Sequence, residues 1–161
     1  QNKELIEKVK NDDNFALSFS GKGNAEEKLK LFSRKHSIKN ISFSGFYKKN
    51  NEYKFYLEAN FINIYYPKIS SHETAISNRF YNSLIYKRPM IVTKNSIQGD
   101  FVEKYNLGIA VNNCDEIKEK LNNYINNFNE TQFIENCNCL LKEFKTDYLS
   151  FKSSILKFIH N

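Results

Sequence analysis

A chain of 161 residues with 40% hydrophobic and 15% aromatic residues, but only five Gly and two Pro, is excluded from the collagen-like, linker-like and disordered classes. It is long enough to bury a core without staples and falls in the range of one domain. The formal net charge of +6 suits an anionic partner, whether nucleic acid, acidic membrane surface or phosphorylated small molecule. The lysines are spread over most helical segments, which is the pattern of a solvated face.

The amino end, QNKELIEKVK, is a charged amphipathic helix with Leu5, Ile6 and Val9 at helical spacing, not a signal peptide. The sequence opens without Met and already inside this pattern, so we read residues 1–161 as one domain of a larger protein. NDDN ends the helix before FALSFSGKG, an apolar run that stops at a glycine pair and predicts a strand and turn. Asn24 is placed to cap the helix AEEKLKLFSRKHS, in which Leu29, Leu31 and Phe32 are the expected apolar contacts. NISFSGFY repeats the strand-then-Gly pattern and KNNEYKFYLEA repeats the helix.

NFINIYYP is the next predicted strand, ended by Pro67. A helix follows, on whose face Phe80, Leu84 and Ile85 are expected to point at the sheet, and then the strand PMIV. After QGDFVEKYN come a short strand, LGIAV, and a helix with Ile117, Leu121, Tyr124, Ile125 and Phe128 on one face. Two helical segments, around Phe133 to Phe144 and Tyr148 to Ile159, close the chain. Helices alternating with short apolar strands predict an α/β, Rossmann-like, doubly wound parallel sheet with helices on both faces and a helical C-terminal segment.

In such sheets ligands sit outside the carboxyl ends of the strands. After the first strand stand Gly21 and Gly23, whose GKG serves a tight turn or a close backbone approach; it is neither a GxGxxG nor a Walker pattern. After the second stand Gly45, Phe46 and Tyr47. After the third, the stretch SHETAISNRFYN crowds Ser71, His72, Glu73 and Thr74 before a helix that Ser77 can cap. The amides of Asn78, Arg79 and Phe80 then lie in the first helical turn, with partial positive charge towards the crevice. Such a terminus suits phosphate, and Arg79 adds a charge-assisted contact. Cys114, Cys137 and Cys139 have neither the pairing nor the spacing of a disulfide framework or zinc site, which points to a reducing, cytosolic setting.

The order SNRFYNSLIYKRPMIVT, Gly99 to Val102, YNLGIAV, with FALSFSGKG and NISFSGFY upstream, resembles the nucleotide-sugar-binding half of GT-B-fold glycosyltransferases, the group that includes retaining enzymes of bacterial surface polysaccharide synthesis. The resemblance implies a donor-binding domain whose substrate is a nucleoside-diphosphate sugar. Ser77, Asn78 and Arg79 would hold the diphosphate, Ser71 to Thr74 would face the sugar, and Phe46 and Tyr47 would lie by the base. It implies no cofactor and no metal, and a second, N-terminal domain for the acceptor. It also implies a cytoplasmic location, with peripheral association of the full-length enzyme at the inner face of the membrane.

The family's ribose-binding Glu falls seven residues before the motif Pro, which is Asn82 here, an uncharged substitute. Glu73 lies close to where the family's other acidic residue falls. Two other classes stand beside this reading: an α/β interaction or regulatory domain, and a basic nucleic-acid-binding module. For the latter the common RNA-binding signatures are missing, so nucleic acid is not an expected partner.

Overall fold

The computed structural model describes residues 2–159. Helix α1 (Asn2–Val9) buries Leu5, Ile6 and Val9, as their spacing requires. It stops where Asn11 takes a left-handed φ of 54°. The link to strand β1 (Leu17–Ser20) is pinned by Asn40, whose Nδ2 donates to the carbonyls of Val9 (2.7 Å), Phe15 (2.8 Å) and Asp12 (3.2 Å). Helix α2 (Asn24–Lys35) leads to strand β2 (Ile41–Gly45), and β1 and β2 pair in parallel with Leu17 opposite Ile41 and Phe19 opposite Phe43. The chain then runs through a single 3-10 turn into helix α3 (Glu52–Glu58).

The second half is a three-stranded parallel sheet in the order β3 (Ile62–Ile64), β4 (Met90–Thr93), β5 (Gly108–Val111). Between β3 and β4 lie the single turn α4 (Ser70–Glu73) and helix α5 (Asn78–Ile85); α6 (Ile97–Lys104) joins β4 to β5. Successive residues of β4 point to opposite faces. Met90 and Val92 enter a core with Phe80, Leu84, Val102, Leu107 and Cys137, while Ile91 enters another with Leu5, Val111, Ile117 and Leu121. Gly108 is required where it stands: its φ is +143° and a Cβ would overlap the Met90 main chain. Helices α7 (Ile117–Asn126) and α8 (Glu130–Ile159) complete the chain.

The structure is α/β, but the single doubly wound sheet does not form; the strands make two small parallel sheets. All β1 ladder bonds go to β2, bracketed by Leu17 N–H to Asn40 C=O (2.9 Å) and Gly21 N–H to Gly45 C=O (2.9 Å). Strand β3 is shorter than NFINIYYP suggests because side chains take its last amides. Tyr65 N–H turns back to Asn63 Oδ1 (3.1 Å), and Tyr66 N–H goes to Thr93 Oγ1 (2.9 Å). The two sheets are linked through side chains: Leu17 and Phe61 both pack on the core that Leu5 of α1 enters.

Other expectations are corrected in detail. Gly23, in extended backbone, is the N-cap of α2, and Asn24 is its first residue. Leu31, Ile85 and Ile125 are exposed, because each lies a step outside the arc of its helix that meets a sheet. The two closing helical segments are one continuous helix, since nothing between Phe144 and Tyr148 breaks it.

Candidate functional site

The carboxyl ends of β3 and β4 are tied together before any ligand is considered. Thr93, buried at the end of β4, donates from Oγ1 to Tyr66 C=O (2.8 Å) while accepting from Tyr66 N–H. Ser96 donates to Thr93 C=O (2.6 Å) and accepts from Gly99 N–H (3.0 Å), capping α6. Gln98 in the first turn of α6 is 3% exposed, and its Oε1 accepts from both Ser77 N–H (3.1 Å) and Ser77 Oγ–H (2.9 Å). The start of α5 is thus clamped to the start of α6. Gln98 went unremarked in the sequence because its partner lies 21 residues away and no local pattern marks it.

At the mouth of α5, Ser77 has extended backbone and caps the helix as expected, its Oγ accepting from Phe80 N–H at a long 3.4 Å. Phe80 N–H also donates to Ser77 C=O (3.0 Å), so the third amide of the expected anion seat is already taken. The N–H groups of Asn78 and Arg79 have no partner among the described residues, and both residues are exposed. Arg79 lies back over the sheet, Nη1 donating to Asn63 C=O at 3.4 Å, a weak bond a ligand could replace.

Asn82, one turn on, donates from Nδ2 to the Tyr56 hydroxyl (3.2 Å). Tyr56 is buried and stacks on Tyr86, with centroids 5.2 Å apart; burial raises its hydroxyl pKa, partly opposed by the Asn82 contact. Arg88 holds α3 in place, its Nε and Nη2 donating to the Tyr56 and Leu57 carbonyls at 2.8 Å each, on the last turn of that helix. Neighbouring Phe55 meets Tyr47 edge-on at 4.8 Å, and Tyr47 in turn lies against Gly21. Helix α3 therefore joins the exits of β1 and β2, through Tyr47 and Gly21, to the mouth of α5, through Asn82. Neither Tyr56 nor Arg88 was singled out from the sequence.

The remaining predicted residues sit further out. Ser71, His72 and Glu73 belong to the turn α4 and not to an open loop; Thr74 follows it, bonding back to Ser70 C=O (3.2 Å). His72 Nδ1 is 3.1 Å from Pro67 C=O, which places its proton on that nitrogen, and its ring lies against Tyr66 at 5.1 Å. Ser71 and Glu73 are exposed. Phe46 is 76% exposed, and open space surrounds Gly23.

Elsewhere, an open cavity of about 480 Å³ lies beside the amino-terminal end of β5, lined by Gly108, Lys120, Tyr124 and Asn127 among others, away from the strand ends described above. Among the described residues no three His, Cys, Asp or Glu gather as metal ligands, and no helix is long and apolar enough to cross a membrane. No protein-family model, curated protein or solved structure matches the chain.

Proposed function

We propose that this chain binds a nucleoside-diphosphate sugar as the donor domain of a glycosyltransferase, the diphosphate resting at the mouth of α5. The observation that carries the reading is the pair of unpartnered amides, Asn78 and Arg79, at a helix start fixed by Ser77 and Gln98 beside the carboxyl end of β3. In this reading the bond between the sugar's anomeric carbon and the diphosphate oxygen breaks with its electron pair leaving on the diphosphate, while an acceptor hydroxyl forms the new C–O bond and its proton passes to the departing diphosphate or to water. The two amides and the Arg79 guanidinium stabilise the growing negative charge. Tyr47 offers a ring to the base, and the Asn82–Tyr56 pair offers hydrogen bonds to the ribose. The acceptor would be held by a separate N-terminal domain, in an enzyme working at the inner face of the membrane on surface polysaccharide.

Calorimetric titration with UDP, GDP and ADP tests the reading. One of the three is expected to bind, and Arg79→Ala to weaken it about tenfold, the loss of one charge-assisted contact. Gln98→Ala should weaken it as well by releasing Ser77, without touching the ligand. Silence across all three nucleotides would remove the proposal.

A further inference from the structure

Each of the two sheets has an unpaired edge where β1 and β3 stand, and the registers show which main-chain groups lie on it. Leu17 N–H donates to Asn40 C=O and Gly21 N–H to Gly45 C=O, so Leu17, Phe19 and Gly21 turn to β2, and the main-chain groups of Ser18 and Ser20 turn away from it. Ile62 N–H donates to Pro89 C=O, so Ile62 and Ile64 turn to β4 and Asn63 turns away. The N–H groups of Ser18, Ser20 and Asn63 have no partner among the described residues, and Asn63 C=O has only the long 3.4 Å contact from Arg79. The two strands are also tied at both ends. At their amino ends Leu17 and Phe61 pack on one core; at their carboxyl ends α3 bridges them, Phe55 meeting Tyr47 and Tyr56 meeting Asn82. The bare edges therefore border one space.

We propose that this space is the seat of a sixth strand, parallel to β1 and β3 and supplied by the polypeptide that leads into α1, so that the order becomes β2, β1, the sixth strand, β3, β4, β5. The faces taken by the helices select this occupant. Helices α5 and α6 pack on the Met90 and Val92 side of β4 through Phe80, Leu84 and Val102, whereas α1 packs on the Ile91 side through Leu5. Helix α2 lies with α1: Lys3 stands over the Phe32 ring (5.5 Å), and Lys30 reaches over Phe43, which stacks on Phe19 on the Leu17 side of β1. Crossovers between parallel strands are right-handed, so helices on one face advance the sheet in one direction and helices on the other face reverse it. With α1 and α2 on one face, a parallel strand before α1 stands on the side of β1 away from β2, which is the bare side. A strand also satisfies both edges at once, since its successive residues turn their N–H and C=O groups to opposite neighbours. Its side chains on one face would be apolar, meeting Leu5, Leu17 and Phe61. Its carboxyl end would emerge where the winding reverses, between Gly21 and the mouth of α5. This place follows from the sheets alone and does not depend on what α5 binds.

Amide hydrogen exchange followed by NMR tests it in two stages. In the unaltered chain the Ser18, Ser20 and Asn63 amides should exchange within about tenfold of the unfolded rate, while those of Phe19 and Ile64, which face their paired strands, are protected. A strand of about six alternating Val and Ile residues, joined by a short Gly-Asn turn ahead of residue 1, should then slow all three amides together by at least about a hundredfold and raise the melting temperature. The same extension carrying two central Pro residues, which lack the N–H groups a ladder needs, should do neither. Slow exchange of the three amides in the unaltered chain overturns the proposal, because the edges would already be paired. So does an extension that protects none of them, that protects Ser18 and Ser20 without Asn63, or that pairs instead with an outer edge and slows Phe43 or Ala110.

Discussion

The two sheets differ in a way that their strands spell out. Strand β4 is Met-Ile-Val-Thr, buried at every residue, and β5 is Gly-Ile-Ala-Val, buried from Ile109 onward. Strand β1 is Leu-Ser-Phe-Ser and β2 is Ile-Ser-Phe-Ser-Gly, with Ser18, Ser42 and Ser44 exposed. A continuous apolar run serves a strand covered on both faces; strict alternation serves one covered on a single face. The three-stranded sheet therefore lies between two cores. The two-stranded sheet is sheltered on one side only, where Phe19 and Phe43 stack at 5.4 Å and Lys30 reaches over Phe43. Parallel pairing does not by itself bring a second layer; the side chains decide whether one can be built.

Truncating one large ring in each half is the most direct way to break this contrast. Phe80 is fully buried at the centre of the larger core, so Phe80→Ala should cost about 3–5 kcal/mol in urea denaturation, transfer and cavity terms together. Phe43 is half-buried, so Phe43→Ala should cost about 1–2 kcal/mol. Equal costs would mean that the smaller sheet is better covered than its serines indicate. Next in size is Asn40→Ala, at about 1–3 kcal/mol, because three carbonyls and the Asn11 N–H lose their partner together. Its mark should be local: faster amide exchange in β1 and β2 with β4 unchanged in native conditions. Uniform acceleration across both sheets would contradict a separate, weaker unit.

How far the sequence could be read follows the same division. The positions of all five strands were legible, as was the Ser77 cap, because turn residues and periodicity are local signals. The alternation in LSFS and ISFSG was equally visible and was the sign that this pair would be half bare; the regular alternation of helices and strands argued instead for one sheet covered throughout. What stayed hidden was long-range. Gln98 clamping Ser77, Arg88 closing α3 and Tyr56 receiving Asn82 join residues 21 to 32 positions apart, and each residue alone is ordinary. The third amide of the expected anion seat was lost to the cap itself, because Ser77 takes Phe80 N–H with its Oγ and its C=O, which is the ordinary work of an N-cap serine.

Thiol labelling sharpens the comparison from inside the covered half. Cys114 and Cys137 are buried one in each core flanking the three-stranded sheet, and burial pushes each thiol up to about 11. Cys139 is exposed on α8. At pH 8 the two buried thiols are ionised only about one part in a thousand, so an aromatic disulfide reagent should label Cys139 at once and the others only through opening of the sheet. Asn40→Ala, which loosens the other sheet, should leave the slow rate of Cys137 unchanged and quicken that of Cys114, whose core Leu5 and Leu17 help to cover. Fast labelling of Cys137 in the unaltered chain would show that the larger core opens as readily as the smaller.

The smallest effect expected is a pH response at the end of β5. Glu116 accepts from Lys120 Nζ (2.8 Å) and from the Asn112 backbone and side-chain nitrogens (3.3 and 3.2 Å). These contacts, Lys120 foremost, lower its carboxyl from 4.5 to about 2. A depressed carboxyl pKa means that its contribution to stability is complete above pH 4.5 and is lost as the pH falls from there through about 2. The carboxylate is partly exposed, so salt should diminish the effect. Carbon-detected titration should find the Glu116 midpoint near 2, and Lys120→Met should raise it towards 4.5 while local order at the β5–α7 junction declines over that window. A midpoint in the ordinary range of about 4 in the unaltered chain would mean that the Lys120 and Asn112 contacts do not persist in solution, and this edge of the three-stranded sheet would then rest on packing alone.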